Sequence, residues 1–375
     1  MRISNAVGYT LTAAIVLTML AERSGGASPV LPRSLAQTRA GSPSGQPQAF
    51  QTGRLKGFLG MREDTVFKRG LTGPSFMDSR ALGKPLVFVS YGVGIDIYLQ
   101  GGKNKMVGQI TGPSGFDLAT DTAGDLYSAN AYLSSGANVT IYAPPYTHGP
   151  KLTLTGRTSL VIAVSRQGTV AVLGCTNPSG SCTAGFLFYA AGSSAPCAGI
   201  PYDASAFPNG VFGAAFDRKG NLYFANSGSG TEAPLAVGKI DGGCNAKQAT
   251  TLTTTNSIPY AGSIRVDKAG RIAILTASSD LNTVAIDTYN PPKGSSLGSP
   301  ISTTPLPGTA SSYSGTFAFV ASGLGLWAGN EGLGSSYAGG ASKYAYPAGG
   351  APQRTILGAP ESAAYGVAVS PALVP

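Results

Sequence analysis

The chain has 375 residues, 42% hydrophobic and only 11% charged, with 53 glycines, a profile that suits a turn-rich β protein with a sizeable core. Its formal net charge of +9 is unevenly spread: residues 1–80 hold ten Lys/Arg against four Asp/Glu, whereas the remaining 295 hold 16 against 13. A nearly balanced folded part behind a basic leader excludes nucleic acid as an expected partner.

At the N-terminus Arg2 precedes an apolar stretch from about Ala6 to Leu20, too short to span a bilayer comfortably as a helix, and Gly25 and Ala27 supply small residues for cleavage nearby. Residues 1–27 therefore read as a secretory signal peptide, with no stable membrane span and no cysteine behind it to carry a lipid. Residues 28–80, rich in Ser, Gly, Pro, Gln and Ala without apolar periodicity, read as a low-complexity linker, mostly disordered.

From residue 81 the chain repeats itself. Aligning one apolar position gives Leu86 in PLVFVS, Leu126 in DLYSAN, Val170 in TVAVLG, Leu222 in NLYFAN, Ile272 in RIAILT and Leu326 in GLWAGN, at intervals of 40, 44, 52, 50 and 54 residues. Such a period marks stacked units that cannot bury their apolar faces alone. Each unit opens on an apolar strand such as GFDLAT, SLVIAV, GAAF, GSIRV or GTFAFV. A turn follows: DTAG at 121–124, SRQG at 165–168, DRKG at 217–220 and DKAG at 267–270. Asp or Ser at the first position and Gly at the fourth suit a type I turn, because the short side chain bonds back to turn amides. The LYxAN phrase is the second strand, near-continuously apolar as in a sheet covered on both faces. A third strand recurs with a tyrosine, at Tyr98, Tyr142, Tyr189, Tyr289 and, in SKYAY, Tyr346, and Pro-Pro ends it after Tyr142 and Tyr289. A fourth, more polar segment such as KLTLTG or QRTILG completes four antiparallel strands, the blade of a β-propeller. The last first-strand, YGVAVS from Tyr365, lacks partners downstream, while LVFVS, GIDIY and KMVGQITG lack a first strand upstream. Residues 81–375 are thus expected to form an all-β, six-bladed β-propeller of four-stranded antiparallel blades, closed by a C-terminal inner strand joining the N-terminal blade.

The phrase "Gly, apolar, Asp-x-x-Gly, Asn/Asp-Leu-Tyr-x-Ala-Asn, then Val-x-Ile-Tyr" resembles the NHL-type repeats of six-bladed propellers, which occur in secreted bacterial proteins and in the gluconolactonase-like and streptogramin lyase families. The resemblance covers about residues 81–375 and loosens at SRQGTVAV and VASGLGLW. It implies the propeller fold, and its lactonase-like branch implies a divalent cation held at the channel mouth.

The residues themselves supply little for catalysis. Asp117 is the one acid inside a first strand and Arg265 the one base there, whereas a hard cation takes six or more oxygen ligands, several of them charged. Asp121, Asp217 and Asp267 each open a tight turn and are read as turn residues. His148, the single histidine, falls in the loop YTHGP, and no G-x-S-x-G accompanies it. No catalytic residue, metal site or cofactor is assigned. Cys175, Cys182, Cys197 and Cys244 read as disulfide cysteines, the first two bracketing TNPSGS and the last two left as a pair, since their spacing is not that of a zinc ribbon.

What remains is a presentation surface. Loops after the second strands, AYLSSGA, SGSGTEAP, EGLGSSYAGG and TNPSGS, share one face and use adaptable contact residues. Asn130, Asn226 and Asn330 stand where that face begins and, with Asp117 and Arg265, are the candidate ligand-binding residues; alternatively the asparagines bond local backbone. The expected function is an exported, non-enzymatic binding or interaction scaffold, secreted or periplasmic in a bacterial envelope, taking a protein or a small-molecule or carbohydrate ligand. The alternative is a metal-dependent lactonase-like hydrolase or lyase.

Overall fold

The structure, a computed structural model, describes residues 74–373 apart from 92–93, 113–114, 116, 131–137, 157, 177–182, 209, 227–232, 280–282, 309–312, 331–338 and 358–363. The expected signal segment, most of the expected linker and Cys182 lie outside the described residues.

The D-x-x-G segments set the architecture. In each, the carbonyl of Asp121, Ser165, Asp217 or Asp267 accepts from the amide of the glycine three positions on at 2.9–3.2 Å. Gly124, Gly168, Gly220 and Gly270 all take φ between 79° and 85°, left-handed values that explain why glycine stands there. The three aspartates also accept through Oδ1 from the amides two and four residues on at 2.8–2.9 Å, and the Ser165 hydroxyl accepts from the Thr169 amide at 3.0 Å. The turn amides are therefore satisfied by the turn's own first side chain.

Each such turn joins an inner strand to a second strand. Blade 2 runs Asp117–Thr120, Leu126–Asn130, Asn138–Tyr142, Leu152–Leu154; blade 3 runs Thr158–Val164, Val170–Cys175, Ala184–Tyr189, Ala198–Pro201. Blade 4 runs Val211–Phe216, Leu222–Asn226, Val237–Ile240, Ala249–Thr254; blade 5 runs Tyr260–Val266, Ile272–Ala277, Val284–Tyr289, Ser302–Pro305; blade 6 runs Tyr313–Phe319, Gly325–Asn330, Gly340–Ala345, Arg354–Leu357. Blade 1 is built from both ends of the propeller: Leu86–Ser90, Gly94–Leu99 and Met106–Thr111 take Gly366–Ser370 as their inner strand, in continuous antiparallel register from Leu86↔Ser370 to Ser90↔Gly366. The six-bladed, all-β, four-stranded propeller with C-terminal closure is thus the observed fold. The aligned positions Leu86, Leu126, Val170, Leu222, Ile272 and Leu326 each face the last inner-strand residue of their blade and are at most 4% exposed.

Three details differ from the sequence reading. Tyr142, Tyr189 and Tyr289 pair with the aligned positions of their blades, but in blade 6 the equivalent tyrosine is Tyr344, opposite Leu326; Tyr346 lies beyond the strand and packs on Phe319. Phe76–Met77, on the N-terminal side of residue 81, pairs with Met106–Thr111 and adds a fifth strand to blade 1. Ser296–Gly298, in the chain of blade 5, pairs in parallel with Ala249–Thr254 of blade 4. These additions depend on which edges neighbouring blades leave open, which no local pattern encodes.

The core is divided among the interfaces between blades. One cluster holds Phe186, Phe188, Phe216 and Phe224 between blades 3 and 4, and another holds Phe317, Phe319, Leu275 and Ile286 between blades 5 and 6. Close approach also fixes Gly213, where a Cβ would come within 2.4 Å of the Ile264 backbone nitrogen in the next inner strand. Across the closing interface Arg354 of blade 6 donates to Leu99 O at 2.9 Å and Asn104 Oδ1 at 2.7 Å in blade 1, its guanidinium 5.7 Å from the Trp327 ring centroid. Cys197 and Cys244 form a disulfide linking blades 3 and 4, and Cys175 is also disulfide-bonded.

Two outcomes follow from this closure. Deleting residues 365–375 removes the inner strand of blade 1, so calorimetry should show loss of the single cooperative transition, and an unchanged melt would refute the shared blade. Cys244→Ser opens a link between residues 47 apart, and unfolding in denaturant should show a loss of up to about 4 kcal/mol on the chain-entropy model.

Candidate functional site

The inner strands line the channel. One residue before the end of each, the chain places Ala119, Ala163, Ala215, Arg265, Ala318 and Val369, a ring of small apolar side chains interrupted by a single guanidinium. A cavity of ≈ 70 Å³ lies at this turn end of the channel, walled by that ring together with Ala372 and Leu373 of the closing segment.

Arg265 does not stay on its own blade. Its Nη2 donates to Asp117 Oδ1 of blade 2 at 3.1 Å, and its Nη1 donates to Ala214 O of blade 4 at 3.3 Å and to its own Ile264 O at 2.9 Å. Its guanidinium carbon sits 5.9 Å from the Phe317 ring centroid in blade 6. Asp117 Oδ2 accepts from the Ile162 amide of blade 3 at 3.1 Å. One ion pair thus gathers five of the six blades across the axis. The Asp117 side chain is 3% exposed and that of Arg265 15%. Burial pushes the Asp117 carboxyl above the usual aspartate range, while Arg265 and the amides of Ile162 and Leu118 pull it back.

The sequence-derived candidates separate into two groups. Asp117 and Arg265 come together as described. Asn130 and Asn226 stand at the loop ends of second strands, away from the cavity wall, and their side chains serve local structure. Asn130 accepts from the Ser128 hydroxyl and donates to the Thr140 hydroxyl, both at 2.9 Å, and Asn226 Oδ1 accepts from the Ala236 amide at 3.1 Å. Asn330 pairs through its backbone with Gly340 and Tyr313. The four variable loops fall largely outside the described residues.

The turn aspartates are fully engaged. Beyond the turn amides, Asp121 Oδ2 accepts from Tyr127 OH at 3.0 Å and Asp217 Oδ2 from Tyr223 OH at 3.4 Å. Asp267 takes Arg271 Nε at 2.7 Å and, across the blade interface, Tyr346 OH at 3.3 Å. Burial and the adjacent carboxylate raise the Tyr127 and Tyr223 phenols well above the ordinary range, so both remain donors. The signal was present in the sequence: the tyrosine of the LYxAN phrase lies six residues after its turn aspartate in both blades, and where Ala273 occupies that place Tyr346 substitutes from blade 6. His148 is exposed, and no group of three or more His, Cys, Asp or Glu able to hold a metal occurs among the described residues. Nor is any helix among them long and apolar enough to cross a membrane.

No protein-family model matches the chain, and no curated protein matches it in sequence. Solved structures share its fold. TolB from Acinetobacter baumannii superposes with a TM-score of 0.54 at 11% identity, over 76% of this chain and 66% of TolB, so the match spans just under two thirds of that relative's length. The luciferin-regenerating enzyme gives 0.42 at 14% identity over 73% of this chain and 80% of that one, and streptogramin B lyase 0.38 at 10% over 76% and 91%. The likeness to TolB, at 11% identity, shows the propeller fold alone.

Arg265→Ala leaves a buried carboxylate without its cation, a loss of about 3–5 kcal/mol when such a pair is broken on one side. Because the folded-state carboxyl of Asp117 is raised above its unfolded value, the charged form opposes folding, and the penalty grows as pH rises through the folded pKa. Thermal melts of Arg265→Ala should therefore show a larger deficit near neutrality than in acid, and the double variant Asp117→Asn/Arg265→Met should recover part of it.

Proposed function

We propose that this protein is an exported, non-enzymatic β-propeller that binds a protein, carbohydrate or other small ligand through the loop face, with Asn130, Asn226 and Asn330 at its base and the Asp117–Arg265 pair beneath it. The observation that carries this reading is the state of Asp117. Both of its carboxylate oxygens accept from protein donors and its charge is met by Arg265. A carboxylate so committed is poorly placed to hold a divalent cation or to act as a general base.

The Cys197–Cys244 disulfide supports export, because such bonds persist in oxidising compartments, and a secreted or periplasmic location in a bacterial envelope accords with the expected signal segment. In this reading the asparagines rigidify the loop bases, and the variable segments beyond them supply the contacts. Propellers otherwise serve so many purposes that fold alone selects none.

The competing reading is a lactonase-like hydrolase or lyase. Incubating the purified protein with a panel of lactones in the presence of Ca²⁺ or Mg²⁺ separates the two. We expect no turnover; reproducible turnover that disappears in Asp117→Ala would establish the enzyme instead. Under the binding reading, glycan- and peptide-array signals should fall in Asn226→Ala without loss of the melting transition.

A further inference from the structure

The opposite end of the channel carries a second arrangement, independent of the loop face. Exposed cations stand at the turn ends of four blades: Lys84 in blade 1, Arg166 in blade 3, Arg218 and Lys219 in blade 4, and Lys268 in blade 5. None of the five forms an ion pair with a described residue. Of the acids in the same turns, Asp267 is paired with Arg271, while Asp121 and Asp217 accept from their own turn amides and keep their charge, so the five cations outnumber the two turn carboxylates that have no ion pair with a described residue. Two of the cations are adjacent: Arg218 Nη2 donates to Lys268 O at 2.9 Å, tying the turns of blades 4 and 5 together. Lys268 in turn lies against Gly323 of blade 6, whose own neighbour is Leu373 in the wall of the cavity. Arg166, Arg218 and Lys268 each follow by two residues a side chain that lines the cavity of ≈ 70 Å³, Val164, Phe216 and Val266 respectively, and its wall holds the edge of Arg265 among alanines.

We propose that this turn face is a docking site for an acidic polypeptide segment, with one carboxylate-bearing side chain entering the alanine-lined cavity and its neighbours lying on the Arg166, Arg218, Lys219 and Lys268 rim. The cavity has room for on the order of five water-sized atoms, about the side chain of a glutamate, and its apolar wall suits the methylenes of such a side chain. A nucleobase does not fit that space, and the exposed large apolar side chains include no aromatic at these turns on which a base could stack. The rim cations are spread over three blades, so they match charges distributed along an extended chain better than a single compact anion. The site lies on the face opposite the proposed loop surface, and neither reading requires the other.

Fluorescence anisotropy of the full-length protein with a labelled Glu/Gly peptide tests it, against the same peptide with Gln for Glu and against a labelled single-stranded oligonucleotide. At about 20 mM salt the acidic peptide should bind and the Gln peptide should not, and binding should weaken steeply by about 0.5 M. Arg218→Ala/Lys268→Ala should weaken it roughly tenfold. Ala372→Leu, which narrows the cavity from the closing segment, should weaken it while leaving rim charge unchanged, and Asn226→Ala on the loop face should have no effect. Failure of the acidic peptide to bind overturns the proposal. So does equal binding of the Gln peptide, tighter binding of the oligonucleotide, or indifference to either the rim or the cavity variant in protein whose melting transition is preserved.

Discussion

The pairing of Gly366–Ser370 with Leu86–Ser90 is the constraint on which the rest of the molecule depends. No blade buries its own apolar faces. The hydrophobic clusters lie between consecutive blades, so each strand sheet is half of two cores, and a ring left open would expose two of those halves to water. Neighbouring blades reinforce the closing strand directly. The Thr120 hydroxyl of blade 2 donates to Val369 O, the Thr316 hydroxyl of blade 6 donates to Tyr365 O at 2.9 Å, and the Leu373 amide donates to Phe319 O at 3.2 Å. Closure thus engages three blades at once, and Arg354 fastens the same seam on the outside.

The ring also governs its polar chemistry. A propeller gathers equivalent residues from sequence-distant repeats, so carboxylates on Asp-x-x-G turns look like a cluster when the sequence is read alone. Each is in fact held within its own turn by two amides and a tyrosine or arginine. A group so saturated with donors has little capacity left for a metal or a substrate. The acid of the described inner strands, Asp117, is met across the axis by Arg265. A buried pair of this kind contributes little net stability over apolar residues of the same size, but it is expensive to break from one side, which fixes the arrangement of the blades it joins.

The two ends of the propeller are chemically distinct. Toward the loops, asparagines brace the second-strand ends and longer, variable segments follow. Toward the turns, the connections are short and regular and carry cations that form no ion pair with a described residue, close in sequence to the lining of a small apolar cavity. Between the two ends lie the Asp117–Arg265 pair and the inner-strand packing around it, so the residues of the two proposed surfaces do not overlap.

The repeat period, the Asp-x-x-G turns and the orphaned YGVAVS strand were enough to determine blade number, strand order and ring closure, because each rests on local physics: a turn that demands glycine at positive φ, an apolar run that must be covered on both faces, an edge that must be paired. The same local logic identified Asp117 and Arg265 as the two charged side chains of the inner strands and left Cys197 and Cys244 as a pair. What only the tertiary structure decided depends on distance across the ring. Residues 148 positions apart become an ion pair at 3.1 Å, Tyr346 replaces a missing tyrosine for Asp267 from the next blade, and Phe76–Met77 and Ser296–Gly298 find edges that other parts of the chain leave open. Sequence spacing carries the period of a blade, but the angle between blades, and so which side chains meet across the axis, is set by how six interfaces pack at once.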